Sequence, residues 1–517
     1  MATSTLEILD TTFRDGAQGM DTTITSLEDV IAAVVALDEL SCISYLEMGF
    51  ATSSGPDRDR IKAALELELS AKVTAFGRTH PKDVEAILGL GTPAAVLVGK
   101  SRRSDVERVI RVSPEGYLGD VRDCVRDLAS SGIDVIFDAE HFFDGFLEDP
   151  HYALQVLLAG IEGGAKRVVL CDTNGSMTLR NAQDVINRAQ WNKLLCDALG
   201  VHFHNDRGRA VPLSEAAYDM GVQHIQGTFG GFGERCGNAD LSTIIANLVV
   251  DHDHADISGD GLAKLLDTYQ LVCAALNRPT DVTHPYVGRF AFSTQAGMHQ
   301  SGEDRVPGNY THADPILFGN AVHTGLTTQS GKSSLLKRAE EVGVIIPDEA
   351  VERLTAEFTE LVEGGYDFAS EATFELWLVR SLGLYEYPFE VAECETSIRV
   401  MDREPRPTLV NLRLQMDDNE LLHVADGDGP VDAIVGCFVR SLHDQFPGIA
   451  DVKLRGFRVQ TFDVQRGSAA KVQVFIRWSD GPHIWRTMSA HENLIYACML
   501  AVLDGFVYKI FRNGKMT

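Results

Sequence analysis

The chain has 517 residues, 44% of them hydrophobic, and a formal net charge of −28. This length allows about three domains with a large core, and so acidic a chain lacks the basic surface that nucleic acids and anionic membranes require. We therefore expect neither as a partner. The nine cysteines are scattered and never spaced Cys-x-x-Cys, which favours reduced thiols over a disulfide framework. No targeting sequence and no segment of membrane-spanning length is apparent, so we expect a cytoplasmic protein.

The first part of the chain alternates short apolar, β-branched runs with amphipathic helical stretches such as Ser26 to Leu40 and Tyr117 to Ser131. Each crossover has the length that parallel strand pairing requires. Eight strand–helix units in about 250 residues are typical of a (β/α)8 TIM barrel, and we predict a catalytic barrel over residues 1–256. The eight runs are 6–9, 43–47, 72–75, 94–98, 133–137, 167–170, 201–204 and 222–226.

Polar residues follow the predicted strands at the end where barrel enzymes collect their chemistry, the carboxyl end. A structural protein would have no reason to place them there. In chain order they are Arg14 and Asp15, Glu47, Lys100, Asp138, Glu140 and His141, Asp172 to Asn174, His202 to Asp206, and Gly227 to Asn238.

The stretch His202-Phe203-His204 carries the most specific signal. Two residues apart on a strand, both imidazoles point to the same face and supply half of a metal site. Asp15 is the candidate carboxylate ligand, with Arg14 as a fixed cation beside it. A lone His-x-His pair is as often an ordinary strand pair or a buried, hydrogen-bonded imidazole. Arg14 has a structural alternative too, a salt bridge to Glu47, and the two roles are compatible.

Residues 257–392 carry helical patterns, including Glu349 to Gly364, and we predict linker subdomains there that contribute to the active site. Two motifs near this region have plainer interpretations. The acidic and histidine cluster Asp251 to Asp256 is typical of a solvated loop. The stretch Gly325 to Ser333 resembles a phosphate loop, but its spacing is wrong by one residue, and a helix start at Ser330 to Ser333 is the better interpretation.

The pattern changes again in residues 393–517, where a unit of three strand-like runs followed by a helix occurs twice. The runs are 397–400, 408–415 and 421–424 before a helix at 431–445, and 452–462, 470–478 and 483–488 before a helix from 492 to about 507. This internal repeat predicts an α+β domain of two βββα units. Few of its residues are of catalytic types, so we expect a ligand-sensing or dimerising module.

Six motifs together carry a family likeness: Asp10 to Gln18, Phe137 to Gly145, Gly227 to Asn238, His202 to Asp206, Gly297 to His299 and Tyr310 to His312. They resemble the α-isopropylmalate synthase and homocitrate synthase family of metal-dependent Claisen condensing enzymes. Among them, Phe137 to Gly145 and Gly227 to Asn238 look most like the citramalate synthase branch of that family. The likeness covers nearly the whole chain, because the terminal repeat is similar to that family's allosteric, dimerising domain.

The resemblance implies a reaction and its cofactor. Acetyl-CoA would condense with a 2-oxo acid, pyruvate in the citramalate branch, and the thioester would then be hydrolysed, in isoleucine-type branched-chain biosynthesis. A divalent cation would orient and polarise the keto acid. Asp15, His202 and His204 suit that cation, and the resemblance adds Asn238. A ligand set of mixed oxygen and nitrogen does not choose among Mg, Mn and Zn.

The same resemblance suggests roles for the remaining polar residues. Arg14 would stabilise the alkoxide that forms from the keto oxygen, and Glu47 would hold Arg14. Thr173 would donate to the keto-acid carboxylate, or else serve as a helix cap. Glu140 and His299 are the candidate bases for the acetyl methyl.

Tyr310 would assist proton transfer beside His299, or else only pack. In this family His299 usually reaches the barrel from the partner chain, which implies a homodimer. The terminal repeat implies amino-acid feedback, for which isoleucine is the natural candidate.

Two departures from the branch pattern leave other functions open. Ser293-Thr294-Gln295 stands where a His-Lys pair is common, and Gly230-Gly231 replaces Asn-Gly. Both lie near the expected acyl or keto-acid pocket, so another 2-oxo acid is an alternative. A metal-dependent carbon–carbon lyase or carboxyltransferase is a second, although it has no need of the repeat. A catalytically silent amino-acid sensor is a third.

Overall fold

A computed structural model describes residues 6–53, 55–252, 259–294, 299, 302, 305–306, 308–322, 332–368, 370–401, 404–405, 407–416, 419–481 and 483–515. The chain forms two compact units, residues 1–323 and 324–517. Each unit has its own hydrophobic core. The division into a barrel at 1–256, linker subdomains at 257–392 and a terminal domain at 393–517 stays a prediction.

Eight strands of the first unit close into a barrel in chain order. β1 pairs in parallel with both β2 and β8, which closes the ring. Each of the eight predicted runs overlaps a strand, so the predicted (β/α)8 barrel is confirmed. The strands are β1 (Glu7–Asp10), β2 (Ile43–Phe50), β3 (Lys72–Arg78), β4 (Ala94–Lys100), β5 (Asp134–Glu140), β6 (Arg167–Asp172), β7 (Leu199–Phe203) and β8 (His224–Gly227).

Helices follow the strands, and N-capping residues mark where several of them begin. The hydroxyl of Ser26 accepts from the Asp29 amide, and that of Ser113 from the Gly116 amide, which satisfies donors that the first helical turn leaves free. The helices are α1 (Leu27–Glu39), α2 (Pro56–Leu65), α3 (Pro81–Leu90), α4 (Arg103–Asp105), α5 (Pro114–Ala129), α6 (Phe142–Glu148), α7 (Pro150–Gly163), α8 (Leu179–Gln190), α9 (Lys193–Cys196), α10 (Ala210–Asp219) and α11 (Leu241–His252).

The strand register brings distant residues to one end of the barrel. Asp10 and Gly227, the last residues of β1 and β8, are paired. His202 of β7 pairs with Gln226 of β8 and with Cys171 of β6. Because all eight strands run in parallel, the polar residues after each strand meet at the carboxyl end.

The chain after the barrel adds α12 (Gly259–Leu262) and α13 (Leu265–Ala275), and α13 packs against α1. Tyr286, Phe292 and Phe318 then form an aromatic cluster that belongs to the core of the first unit. Of the acidic and histidine cluster noted in the sequence, Asp251 lies in α11, whereas residues 253–256 lie outside the described part of the chain.

From residue 332, where the description of the second unit starts, come three helices, α14 (Lys332–Glu341), α15 (Asp348–Glu363) and α16 (Glu371–Ser381). The predicted helix over Glu349 to Gly364 is confirmed by α15. The start of α14 agrees with the helix predicted to begin at Ser330 to Ser333. Residues 325–331 of the phosphate-loop-like stretch lie outside the described residues.

Two three-stranded antiparallel sheets, each followed by a helix, confirm the predicted βββα repeat. The first repeat comprises β9 (Glu390–Ser397), the short hairpin β10 (Val400–Met401) and β11 (Glu404–Pro405), β12 (Thr408–Met416), β13 (Asn419–Gly427) and α17 (Pro430–Leu442). The second comprises β14 (Lys453–Phe462), β15 (Lys471–Ser479), β16 (Ile484–His491) and α18 (Leu494–Lys515).

The first strand of the repeat was placed wrongly from the sequence. The prediction was 397–400, but β9 spans Glu390–Ser397 and pairs antiparallel with β12. After Ser397 the chain enters the hairpin of β10 and β11 instead of continuing along the sheet. β9 is an edge strand with three glutamates, so it lacks the apolar run by which strands are recognised in a sequence.

The prediction that no segment approaches membrane-spanning length was wrong for α18. A stretch of 21 residues, Leu494–Gly514, has a mean hydropathy of 1.8 and is long and apolar enough to cross a membrane. Most of it is buried inside the protein, and Ala501, Val502 and Phe506 are fully buried in the second core. A helix that is apolar on most sides is typical of a buried core helix as well as of a membrane span.

Candidate metal centre and active site

Asp15, His202 and His204 meet at the carboxyl end of the barrel. One ligand atom of each lies within 4.8 Å of the others, and all three side chains are buried. Asp15 lies in the loop after β1, His202 lies in β7, and His204 directly follows the last residue of β7. The predicted three residues are therefore brought together from opposite ends of the barrel sequence.

The ring of His202 is held on both sides. Its Nε2 lies 3.4 Å from Asp15 Oδ2, and its Nδ1 lies 2.9 Å from Gln226 Oε1. An amide oxygen only accepts, so Nδ1 carries the proton, and this assignment follows from the hydrogen-bond network. In the metal-free protein burial by itself would lower the pKa of His202, but the Asp15 carboxylate raises it. Loss of the Nε2 proton would leave a lone pair facing Asp15, where a cation would bind.

Two buried polar atoms at the cluster lack a hydrogen bond within the described part of the chain, His204 Nδ1 and Asn238 Oδ1. A bridge in the backbone pairing sets Asn238 beside His204. Buried polar atoms are otherwise nearly always satisfied. One carboxylate, two imidazoles and one amide oxygen fit a divalent cation of borderline hardness. The residues present thus suit the metal that the sequence predicts.

The loop that carries Asn238 depends on glycine. Gly237 has φ +81°, and a Cβ there would overlap the carbonyl oxygen of Gly231. Arg235 holds the loop against neighbouring residues, since it donates to Asp206 Oδ1 and to the Thr173 carbonyl oxygen, each at a distance of 2.8 Å. Only glycine accepts this conformation without strain, which explains the Gly237-Asn238 pair.

Burial and neighbouring charges set the protonation of the cluster. Burial by itself would raise the pKa of Asp15, but Arg14 and His202 hold that pKa well below its usual range. Burial, together with the charge of His202, lowers the pKa of His204 to about 4. At neutral pH, Asp15 is therefore an anion and His204 a neutral imidazole, the forms in which these side chains bind metals.

Arg14 lies against the cluster in a fixed position. Its Nε donates to Glu47 Oε2 over 2.7 Å, and its Nη1 lies 3.3 Å from Asp15 Oδ2. The guanidinium lies 4.1 Å over the Phe76 ring. Thr11 also donates to Glu47 Oε2. Arg14 is thus both a partner of Glu47 and a neighbour of the metal ligands, as the sequence suggested.

Glu140 and Thr173 lie at the ends of β5 and β6. Glu140 Oε2 is 2.7 Å from Lys100 Nζ, and both side chains are partly exposed. The Thr173 hydroxyl accepts from the His141 amide over 2.8 Å. Thr178, rather than Thr173, caps the following helix, so the helix-cap alternative for Thr173 is wrong.

His299 and Tyr310 form a pair of their own in the segment after the barrel. Their rings stack at a centroid distance of 4.5 Å, and both residues are exposed. Residues 297–298 of the Gly-Met-His motif lie outside the described residues. Contact of His299 with a partner chain stays a prediction.

The chain resembles known proteins along nearly its whole length. The HMGL-like family matches residues 5–273, the homocitrate synthase post-HMGL domain-like family residues 286–365, and the LeuA allosteric (dimerisation) domain residues 371–510. The (R)-citramalate synthase of Aquifex aeolicus (strain VF5) is 34% identical and covers 98% of each chain. That of Synechocystis sp. (strain ATCC 27184 / PCC 6803 / Kazusa) is 33% identical over 98% of this chain and 96% of its own.

The chain belongs to the HMGL-like family, in its (R)-citramalate synthase branch. The family resemblance of the sequence motifs is thereby confirmed, and so is the branch. Among solved structures, HMG-CoA lyase from Bacillus subtilis covers 53% of this chain and 95% of its own, with a TM-score of 0.46 and 20% identity. The HMGL-like match contains Asp15, His202, His204 and Asn238, whereas His299 and Tyr310 fall in the post-HMGL match.

The sequence reasoning missed Gln226, and it noted Asp138 without giving it a role. Gln226 is 1% exposed and Asp138 3% exposed, and the Gln226 amide nitrogen donates to Asp138 Oδ1 over 2.8 Å. Burial raises the pKa of Asp138 to about 7. A glutamine inside a run of barrel strand residues is the one signal that pointed to this pair, because buried strand positions are usually apolar.

Proposed function

We propose that the chain condenses acetyl-CoA with pyruvate and hydrolyses the product thioester, which gives citramalate and CoA. The acetyl methyl carbon bonds to the keto carbon of pyruvate, and water then breaks the carbon–sulfur bond and releases the CoA thiol. The cluster of Asp15, His202 and His204 carries this proposal, together with two buried atoms that have no hydrogen bond among the described residues, His204 Nδ1 and Asn238 Oδ1. Curated relatives named (R)-citramalate synthase, at 31–34% identity over nearly full length, support the substrate.

Asp15, His202, His204 and Asn238 would hold a divalent cation, Mg, Mn or Zn. Such an ion, when bound, orients a 2-oxo acid and polarises its keto carbon. The low pKa of Asp15 and the neutral His204 support this role. The four side chains supply the donors, and the substrate would supply the rest.

Arg14 would stabilise the negative charge that develops on the keto oxygen. It is 10% exposed, and its geometry is fixed by Glu47 and by the face of Phe76. A donor held in place beforehand needs little reorganisation when charge develops in a water-poor site. Glu47 would act through Arg14 by holding it beside the substrate.

The acetyl methyl must lose a proton before the new bond forms, and Glu140 and His299 are the two candidate bases. Glu140 belongs to the barrel rim and is ion-paired with Lys100. His299 is stacked on Tyr310, which supports a shared role for these two rings in proton transfer. Thr173, at the end of β6, would bind the carboxylate of the keto acid through its hydroxyl.

A thiol-release assay tests this function directly. Full-length protein is supplied with acetyl-CoA and each of several 2-oxo acids, with Mg, Mn or Zn added. We expect thiol release with pyruvate and formation of citramalate. Release with a bulkier 2-oxo acid and none with pyruvate would contradict the proposed substrate. No thiol release with any of the 2-oxo acids and metals would contradict the synthase function and favour the amino-acid sensor.

We further propose that the chain acts as a homodimer whose terminal domain binds an amino acid as a feedback effector, with isoleucine the natural candidate. The match to the LeuA allosteric (dimerisation) domain over residues 371–510 supports both parts. Sedimentation of the full chain and assays with and without isoleucine test them. A monomer at all concentrations would contradict the first part, and equal rates with isoleucine and every other amino acid would contradict the second. We also expect a cytoplasmic location, which cell fractionation tests.

A further inference from the structure

Gln226 lies buried on β8 between His202 and Asp138, and all of its polar atoms are used. Its Oε1 is 2.9 Å from His202 Nδ1, and its Nε2 is 2.8 Å from Asp138 Oδ1. The same Nε2 lies 3.4 Å from His224 Nε2. A polar side chain that is 1% exposed is expensive to bury unless it is fully bonded.

These partners determine which way the amide faces. In the structure the Gln226 nitrogen points at Asp138 and the Gln226 oxygen at His202. An ionised Asp138 only accepts, so in that form it allows this orientation alone. With its oxygen towards His202, the amide accepts a proton from Nδ1 only. Turning the amide over would set its oxygen against the Asp138 carboxylate and its N–H groups against His202. Asp138 therefore selects the amide orientation, and Gln226 selects the imidazole tautomer.

The selected tautomer is the one that a metal requires from this residue. His202 Nε2, the atom 3.4 Å from Asp15 Oδ2, keeps its lone pair only if the proton is on Nδ1. The other tautomer would place a proton where the cation must bind. Hydrogen bonds that fix a ligand histidine in this way also raise its basicity.

We propose that Gln226, oriented by Asp138, is a positioning residue that keeps His202 in the tautomer and ring orientation needed to bind the cation. The inference rests on the proposed metal centre. It attributes part of the metal affinity to Gln226 and Asp138, neither of which binds the ion itself. The competing explanation is that the pair merely fills the barrel interior with satisfied polar groups.

Metal affinity of the full-length, metal-stripped protein separates the two explanations. Calorimetric titration with Mn²⁺ and with Zn²⁺ compares wild type with Gln226→Leu, which keeps the volume and removes both hydrogen bonds. We expect binding weaker by about 10- to 100-fold, the usual effect of losing such a partner. Circular dichroism and thermal unfolding without metal report whether the fold is retained. Equal affinity in a folded Gln226→Leu protein would overturn the inference.

Asp138 offers a second route that does not alter the residue touching His202. Asp138→Asn retains an oxygen that accepts from Gln226, and we expect nearly the wild-type affinity. Asp138→Leu removes that acceptor and should weaken binding as Gln226→Leu does. Equal affinities for a folded Asp138→Leu and for Asp138→Asn would overturn the proposal, even if Gln226→Leu does not fold.

Gln223 supplies a matched control. It immediately precedes β8, and its side-chain Oε1 accepts only a long, 3.4 Å bond from Arg167 among the contacts described. Gln223→Leu should leave metal affinity unchanged, and a similar loss there would indicate a general weakening of the barrel. Wild-type protein that binds neither ion would overturn the metal centre itself. Wild-type binding with no effect of Gln226→Leu would overturn only the positioning role.

Discussion

Arg14 donates through Nε to Glu47 Oε2 over 2.7 Å, and Glu47 is almost fully buried. A second nitrogen of the same guanidinium, Nη1, lies 3.3 Å from Asp15 Oδ2. Arginine presents several donors in a rigid plane, whereas lysine is a single flexible charge. The contacts that hold Arg14 against Glu47 therefore also keep it beside Asp15, one of the proposed metal ligands.

Arg14→Lys should consequently lower kcat by about 10²- to 10³-fold, the usual effect of losing a donor to a developing oxyanion. Steady-state thiol release with pyruvate measures it. Arg122→Lys is the matched control, since Arg122 lies on α5, is paired with Glu162 of α7 and is 43% exposed. A kcat for Arg14→Lys equal to that of Arg122→Lys would refute the role of Arg14.

Thr173 offers a test of keto-acid binding. Thr173→Val removes the hydroxyl, whereas Thr173→Ser retains it together with the bond from the His141 amide. We expect Thr173→Val to raise the KM for pyruvate by roughly tenfold, since one hydrogen bond to a charged group contributes about 1.5–3 kcal/mol. The KM for acetyl-CoA should stay unchanged. Identical KM values for the valine and serine variants would exclude the hydroxyl from substrate binding.

Mixed dimers test whether His299 acts on the barrel of the partner chain. His202→Ala and His299→Ala chains should each be inactive as homodimers. If the two residues act across the dimer, a mixed dimer holds one site with both residues intact. Co-expression of differently tagged chains should restore roughly a quarter of wild-type activity, given random pairing. No recovery in purified mixed dimers would show that each site is built from one chain.

Much of the fold was predictable because the chain repeats simple patterns. Eight apolar runs separated by amphipathic helices predict the barrel, and the spacing of His202 and His204 predicts one face of the cluster. Asp15 was predictable as a ligand because it follows a strand, and parallel strands end at one rim.

Other features depend on contacts that no local pattern records. The role of Gln226 follows from the register of β7 against β8, which sets it beside His202. β9 was not recognised in the sequence because its edge position tolerates three glutamates in eight residues. The helix α18 is apolar enough to pass for a membrane span, since it is buried against the sheet of its own unit.

The buried acid Asp138 predicts a dependence of stability on pH in metal-free protein. Burial raises its pKa to about 7 from an ordinary value of 3.8, although the nearby charges of His202 and Arg14 oppose that rise. The folded chain then holds a proton that the unfolded chain releases, so the free energy of unfolding falls as pH rises between these two values.

Asp138→Asn cannot titrate, so its stability should fall less over the same interval, by a difference on the order of 3 kcal/mol. Denaturant unfolding of wild type and Asp138→Asn in the presence of a chelator, at several pH values, measures this difference. Asp10, whose pKa is also raised to about 7, contributes equally to both proteins. Parallel pH profiles would contradict a raised pKa at Asp138.

The central claim is that Asp15, His202 and His204 hold one cation, and equilibrium dialysis with elemental analysis tests it most directly. Metal-stripped wild-type protein should take up one tightly bound divalent ion per chain. His202→Ala should take up none while keeping its circular dichroism spectrum, and His151→Ala, on the exposed face of α7, should bind as wild type does. Equal uptake by wild type and His202→Ala, or no uptake by wild type, would contradict the account.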